Sequence, residues 1–175
     1  MLRGKIAYLS YLSEADDATM LSWINDRHLV LSSASFRPVH QSCHLEWFHS
    51  IQRRPDVVIF GVRRISDDLL VGSCQLHSIS LIHRSAELQI RIGCDVARGV
   101  GIGSEVCSML LSYAFRDLNL NRVYLHVFEG NERAMALYKR SGFKVEGVLQ
   151  QAAYIDGDWV NVVIMAILRN EYLAS

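Results

Sequence analysis

The chain is expected to form one mixed α/β domain, a central sheet of about seven strands with helices on both faces. Three observations say so. Strand-like and helical runs follow the order β-α-α-β-β-β-α-β-α-β-β, which is neither a regular βα alternation nor an all-β pattern. The length, 175 residues, suits one domain rather than two. Half of the residues are apolar, with only two prolines and eleven glycines, so a sizeable core is available and long disorder is not expected.

The elements follow in order. Ile6 to Leu12 reads as a first strand. Asp16 to Leu29 reads as helical, with Met20, Leu21, Trp23 and Ile24 at helical spacing. Ser32 to Val39 is a loop ended by Pro38, and Gln41 to Arg53 is a second helix stopped by Pro55. Asp56 to Ile65 and Leu70 to Ser80 are strands joined at Ser66-Asp67-Asp68. In Ser85 to Gly93, Leu88, Ile90 and Ile92 point one way and Glu87, Gln89 and Arg91 the other.

A glycine-rich turn at 99 to 103 leads into a helix from Ser104 to Leu118, with Val106, Met109, Leu110 and Tyr113 on one face. Arg122 to Phe128 is a strand, and Asn131 to Arg140 is a short helix with Asn131 at its N-cap. Ser141-Gly142 ends it in a left-handed turn. Two last strands, about Lys144 to Ile155 and Trp159 to Leu168, flank the hairpin signal Asp156-Gly157.

The 18 basic and 18 acidic residues cancel, so the basic excess of a nucleic-acid binder is absent. No apolar stretch is long enough to span a bilayer, and the first ten residues carry Arg3 and Lys5 rather than a signal-peptide core. Cys43, Cys74, Cys94 and Cys107 form no CxxC pair, so free thiols in the cytoplasm are the simplest reading. His40, Cys43 and His44 share one helical turn, but no HExxH accompanies them, and no metal is expected.

Chemistry concentrates at two places. The first is strand, glycine turn, helix, ending in Arg98-Gly99-Val100-Gly101-Ile102-Gly103. Glycines let the backbone approach a ligand closely, and the N–H groups and dipole of a helix N-terminus favour an anion. The sequence excludes two nucleotide motifs. Gly103 is followed by Ser104-Glu105 rather than the lysine of a phosphate-binding P-loop, and GxGxG replaces the dinucleotide GxGxxG. The second place is the helix starting at Asn131, which reads NERAMALYKRSGF.

Together these motifs resemble the GNAT superfamily of N-acetyltransferases. Arg98, Gly101 and Gly103 match its RxxGxG turn. Asn131, Ala134, Leu137, Tyr138, Gly142 and Phe143 match its NxxAxxLYxxxGF segment, one helix and one strand later. The likeness covers essentially the whole chain. Trp23-Ile24-Asn25-Asp26, the stretch from Tyr154 to Val160, Met165 and Glu171-Tyr172 look like the RimJ/RimL branch, which includes enzymes acetylating nucleotide-linked amino sugars.

The resemblance implies a sheet that splays between its fourth and fifth strands, with acetyl-CoA as co-substrate in the gap. Backbone groups of Ile90, Arg91 and Ile92 would hold the acetyl group and pantetheine. Those of Arg98, Gly99, Val100, Gly101, Ile102, Gly103 and Ser104 would take the pyrophosphate. Asn131 would bond the pantetheine, and Lys139 would sit near the nucleotide phosphates. An amine then attacks the thioester directly, with Tyr138 as hydrogen-bond donor to the leaving sulfur.

The base is open among Glu87, His126, His77 and a water chain, since imidazole and carboxylate both suit proton transfer. Trp23, Asn25, Phe36, Trp47 and His77 are candidates for the acceptor pocket. The favoured acceptor is a small-molecule amine, specifically a nucleotide-linked amino sugar. A protein N-terminus, or no catalysis at all, are the alternatives. The long last strands could pair across a homodimer.

Overall fold

A computed structural model describes residues 1–94, 97 and 99–174. Eight strands form one sheet in the order β1-β2-β3-β4-β5-β6-β8-β7. They are β1 (Leu2–Arg3), β2 (Ala7–Ser10), β3 (Val58–Arg64), β4 (Leu70–Ser80), β5 (Ser85–Ile92), β6 (Arg122–Phe128), β7 (Lys144–Ile155) and β8 (Asp158–Leu168). The expected seven become eight because Leu2–Arg3 adds a short edge strand antiparallel to β2. Among the described residues, β5–β6 is the sole parallel pair.

The helices are α1 (Asp17–Ile24), α2 (Arg27–Leu31), α3 (Gln41–Ile51), α4 (Ile102–Ser112), α5 (Glu132–Arg140) and α6 (Arg169–Leu173). The single helix expected over 16–29 is broken at Asn25-Asp26. Asp26 leaves the helical region (φ −80°, ψ 106°) and its carboxylate accepts the N–H groups of His28 and Leu29, which starts a new helix. The fourth helix begins two residues earlier than expected, at Ile102, and continues past Ser112 as a π-helical turn, Tyr113–Asp117.

Alternation along the strands sorts the two faces. Ala86 and Leu88 of β5, Val123 and Leu125 of β6, and Ile102, Val106 and Leu110 of α4 are all buried in one core with Tyr138 and Phe143. The opposite face carries a smaller core of Leu12, Met20, Phe48 and Leu70, with Trp23 and Ile59 packed against it. Helices therefore lie on both faces, as expected. At the far edge, Asp156 (φ 52°) and Gly157 (φ 98°) make the left-handed two-residue turn between β7 and β8. All four cysteines are free thiols. Among the described residues no helix is long and apolar enough to cross a membrane.

Candidate active site

The site begins where the sheet comes apart. Parallel pairing of β5 and β6 joins Ser85 to Arg122, Ala86 to Val123 and Glu87 to Tyr124, and goes no further. Yet β5 runs on to Ile92, and β6 to Phe128. Each strand stays held on its outer side, by β4 and by β8. The result is a wedge with Glu87 at its closed end and Ile90, Arg91 and Ile92 along one wall, the splay expected between the fourth and fifth strands.

The glycine turn lies beyond the β5 end of the wedge. Gly99 (φ 83°) and Gly101 (φ 92°) occupy the left-handed region, which side chains with a Cβ adopt at a cost. Gly101 is the N-cap of α4, and its carbonyl accepts from Ser104 and Glu105, both at 3.1 Å. A Cβ on Gly99 would meet nothing within 4 Å, so the outside of the turn is open for a ligand. Val100 is exposed there, whereas the Ile102 side chain is buried beneath. Gly103 serves packing, because a Cβ would come within 2.9 Å of Leu137 on α5. Arg98 lies outside the described residues. The cradle and the α4 N-terminus fit a pyrophosphate.

Asn131 is the N-cap of α5, as expected. Its Oδ1 accepts from Ala134 N at 3.1 Å, and its Nδ2 donates to Ser32 O at 3.0 Å. Those bonds cap α5 and tie it to the loop after α2, leaving one amide N–H for any ligand. Lys139 is exposed on the last turn of α5. Beside it, the Tyr138 ring is buried and meets Phe143 edge-on at 5.6 Å. Among the described residues no hydrogen bond holds the Tyr138 hydroxyl, and no buried side-chain oxygen lacks a partner, so this oxygen reaches the surface. Burial, then the nearby Cys107, pushes the phenol well above its usual range, and it remains a neutral donor.

The three residues considered for the base stand together. His77 and Glu87 are cross-strand partners on β4 and β5. Glu87 Oε1 lies 2.8 Å from His126 Nδ1, and Glu87 Oε2 lies 3.9 Å from His77 Nε2. A carboxylate facing Nδ1 selects the tautomer with its proton there, so His126 Nε2 keeps a lone pair. All three side chains are partly exposed.

A cavity of about 420 Å³ opens on the same face. Its floor is Ser73 and Gln75 of β4 with Gln89 and Arg91 of β5, and Trp23 and Trp47 form its walls. Ser73 faces Arg91, Gln75 faces Gln89 and His77 faces Glu87, so the base cluster is the next rung of the same ladder. Trp23 is pressed onto Gly93, where a Cβ would fall 2.1 Å from the indole.

Asn25 and Phe36, also expected in this pocket, are not among its lining residues. Asn25 instead clamps the backbone of Val39, donating to its carbonyl at 2.9 Å and accepting from its N–H at 2.8 Å. His77 belongs to the base cluster. Gln75, Gln89 and the Arg91 side chain were missed as pocket residues, although the alternation of β5 already placed Gln89 and Arg91 on the Glu87 face. Among the described residues no three His, Cys, Asp or Glu side chains converge on a metal site. His44 bonds Asp17 at 2.6 Å.

Comparison with known proteins agrees with this geometry. Spermidine N(1)-acetyltransferase of Escherichia coli K12 is 37% identical over 104 residues, 59% of this chain and 55% of that protein. The Vibrio cholerae protein of the same name is 40% identical over 104 residues, 59% of this chain and 60% of its own length. The chain thus spans a little over half the length of these curated relatives. A crystal structure of spermidine N-acetyltransferase from Vibrio cholerae in complex with CoA and spermine is 30% identical. It superposes with a TM-score of 0.89 over 95% of this chain and 98% of that one. The profile described as "Acetyltransferase (GNAT) domain" matches residues 8–144, most of the chain and both halves of the wedge. With that match, the splayed β5–β6 pair and the glycine cradle, the chain belongs to the GNAT acetyltransferase family.

Proposed function

We propose that this protein transfers an acetyl group from acetyl-CoA to a small primary amine. The observation that carries the reading is the Glu87–His126 pair at the closed end of the wedge, one rung from the floor of the Trp23–Trp47 pocket. Acetyl-CoA supplies the activated thioester when bound. The amides of the turn and of the first turn of α4 would hold its pyrophosphate, and the β5 edge at Ile90, Arg91 and Ile92 its pantetheine arm.

The amine enters from the pocket. His126 Nε2 takes its proton, and Glu87 holds the ring and stabilises the imidazolium. The amine nitrogen bonds to the carbonyl carbon as the carbon–sulfur bond breaks. Tyr138 donates a hydrogen bond to the departing thiolate and keeps its own proton, a role favoured by its neutral phenol.

The nucleotide-linked amino sugar expected from the sequence fits this reading through the two indoles, which can stack on a sugar or base. The relatives reported above are named for spermidine and lend that choice no support. A second copy and a cytoplasmic setting complete the proposal. The first is supported by the edge strand β7, which leaves Val145, Val148 and Leu149 exposed, and the second by the four free thiols.

The test is thiol release from acetyl-CoA against polyamines, amino sugars and N-terminal peptides. Amine-dependent release with formation of the acetylated amine is expected. Binding of acetyl-CoA without release on any amine would leave a non-catalytic domain.

A further inference from the structure

The acceptor cavity contains a cation with no partner among the described residues. Arg91 is half-buried on the floor, opposite Ser73, and no carboxylate or carbonyl pairs with its guanidinium among the described residues. Burial lowers its proton affinity, yet a guanidinium stays charged. A desolvated, unpaired charge is costly to keep.

None of the described residues lining the cavity is a carboxylate. Asp17 is buried and already bonded, at 2.6 Å, to the lining residue His44. Glu87 is bonded to His126. The walls, by contrast, are aromatic, from Trp23 and Trp47.

These features fit badly with a polyamine, which would bring further ammonium groups beside Arg91 with no acid among the described lining residues to receive them. They fit an amine whose own anion pairs with Arg91. The separation is also set. Arg91 is four residues along β5 from Glu87, about 13 Å at strand rise, less the reach of its side chain. The anion must therefore sit several ångströms from the reacting nitrogen.

Resting on the transferase reading above, we infer that Arg91 selects the acceptor. Its class is a primary amine that carries a carboxylate or phosphate at its far end, with a planar or apolar body held between Trp23 and Trp47. Planar Arg geometry suits bidentate pairing with either anion.

Matched pairs test this. The carboxylate arm compares 4-(aminomethyl)benzoate with benzylamine, and the phosphate arm compares glucosamine 6-phosphate with glucosamine. Spermidine is measured alongside, and acetyl-CoA binding is followed by calorimetry. In the wild type, kcat/KM is expected to favour the anionic member of at least one pair, and that arm identifies the anion. In Arg91→Met the ratio within that pair is expected to fall about ten- to a hundredfold.

The wild-type ratios decide the question even if the variant fails to fold. If no pair favours its anionic member, if spermidine exceeds them all, or if Arg91→Met folds and keeps the ratio, the inference is overturned while the transferase stands. If acetyl-CoA binds and no amine at all releases thiol, the transferase reading falls, and this one with it.

Discussion

Glu87 Oε1 stands 2.8 Å from His126 Nδ1 at the point where β5 and β6 part company. The two residues belong to different strands and lie 39 positions apart, so only the parallel pairing at 85–87 brings them together. If His126 accepts the amine proton, His126→Ala should lower kcat by about 10²–10⁴. Glu87→Gln keeps the shape but loses the charge that orients the ring. It should cost less, because the base itself remains. Stopped assays across pH 5–9 check both. Equal activity of wild type and His126→Ala would move the base elsewhere.

Tyr138→Phe removes the hydroxyl and keeps the ring against Phe143. The melting temperature should hardly move, while kcat should fall about 10- to 100-fold from the loss of one hydrogen bond to developing charge. The raised pKa also has a sign. A phenol whose pKa lies above the usual 10 stays protonated as the medium becomes alkaline, so wild-type kcat should show no loss from this group up to about pH 10. A basic limb that vanished in Tyr138→Phe would contradict the assignment.

Gly101 holds φ at 92°, and α4 starts from it. Gly101→Ala forces a Cβ into the left-handed region at about 1–2 kcal/mol. Relief of that strain would tilt the amides meant for the pyrophosphate. We expect acetyl-CoA affinity to weaken about 5- to 30-fold with secondary structure intact, read by calorimetry and circular dichroism.

Much of this was legible before any coordinates. The Leu88/Ile90/Ile92 alternation fixes which β5 residues face the pocket, because a strand has period two. The left-handed turns at Gly99, Gly101 and Asp156-Gly157 follow from backbone sterics alone. What was not legible depends on contacts distant in sequence. Nothing near Asn25 says that its amide will be consumed by Val39 fourteen residues on. Asn131 was readable as a cap, but not its bond to Ser32, 99 positions away. The break at Asp26 was readable in principle, since an acid ahead of two free N–H groups is a helix start, but the helical periodicity on either side masks it. Arg91 is read from the sequence for its backbone, as part of the edge expected to hold the acetyl group and pantetheine, and not for its side chain. The meaning of the side chain appears only when no acid is found among the described residues lining the cavity.

Glu105 offers a separate check on how α4 is anchored. Its carboxylate accepts backbone N–H groups from Ile6 at 3.0 Å, Ala7 at 2.8 Å and Lys5, fastening the β1–β2 turn to the first turn of α4. Desolvation alone would raise its pKa, but those three bonds and the Lys5 charge outweigh it and hold the group below the usual carboxylate value. A depressed folded pKa means stability that is present above the unfolded value, about 4.3, and is lost as pH falls through the folded one. Glu105→Gln should therefore lower stability at pH 7 by about 1 kcal/mol once solvent screening of this partly exposed group is allowed for, seen as a lower melting temperature. As the pH falls through that lowered value the wild-type carboxyl is itself protonated, and the two melting curves should converge. A gap that stays constant over that fall would mean that shape, and not charge, secures the helix start on which the pyrophosphate cradle is built.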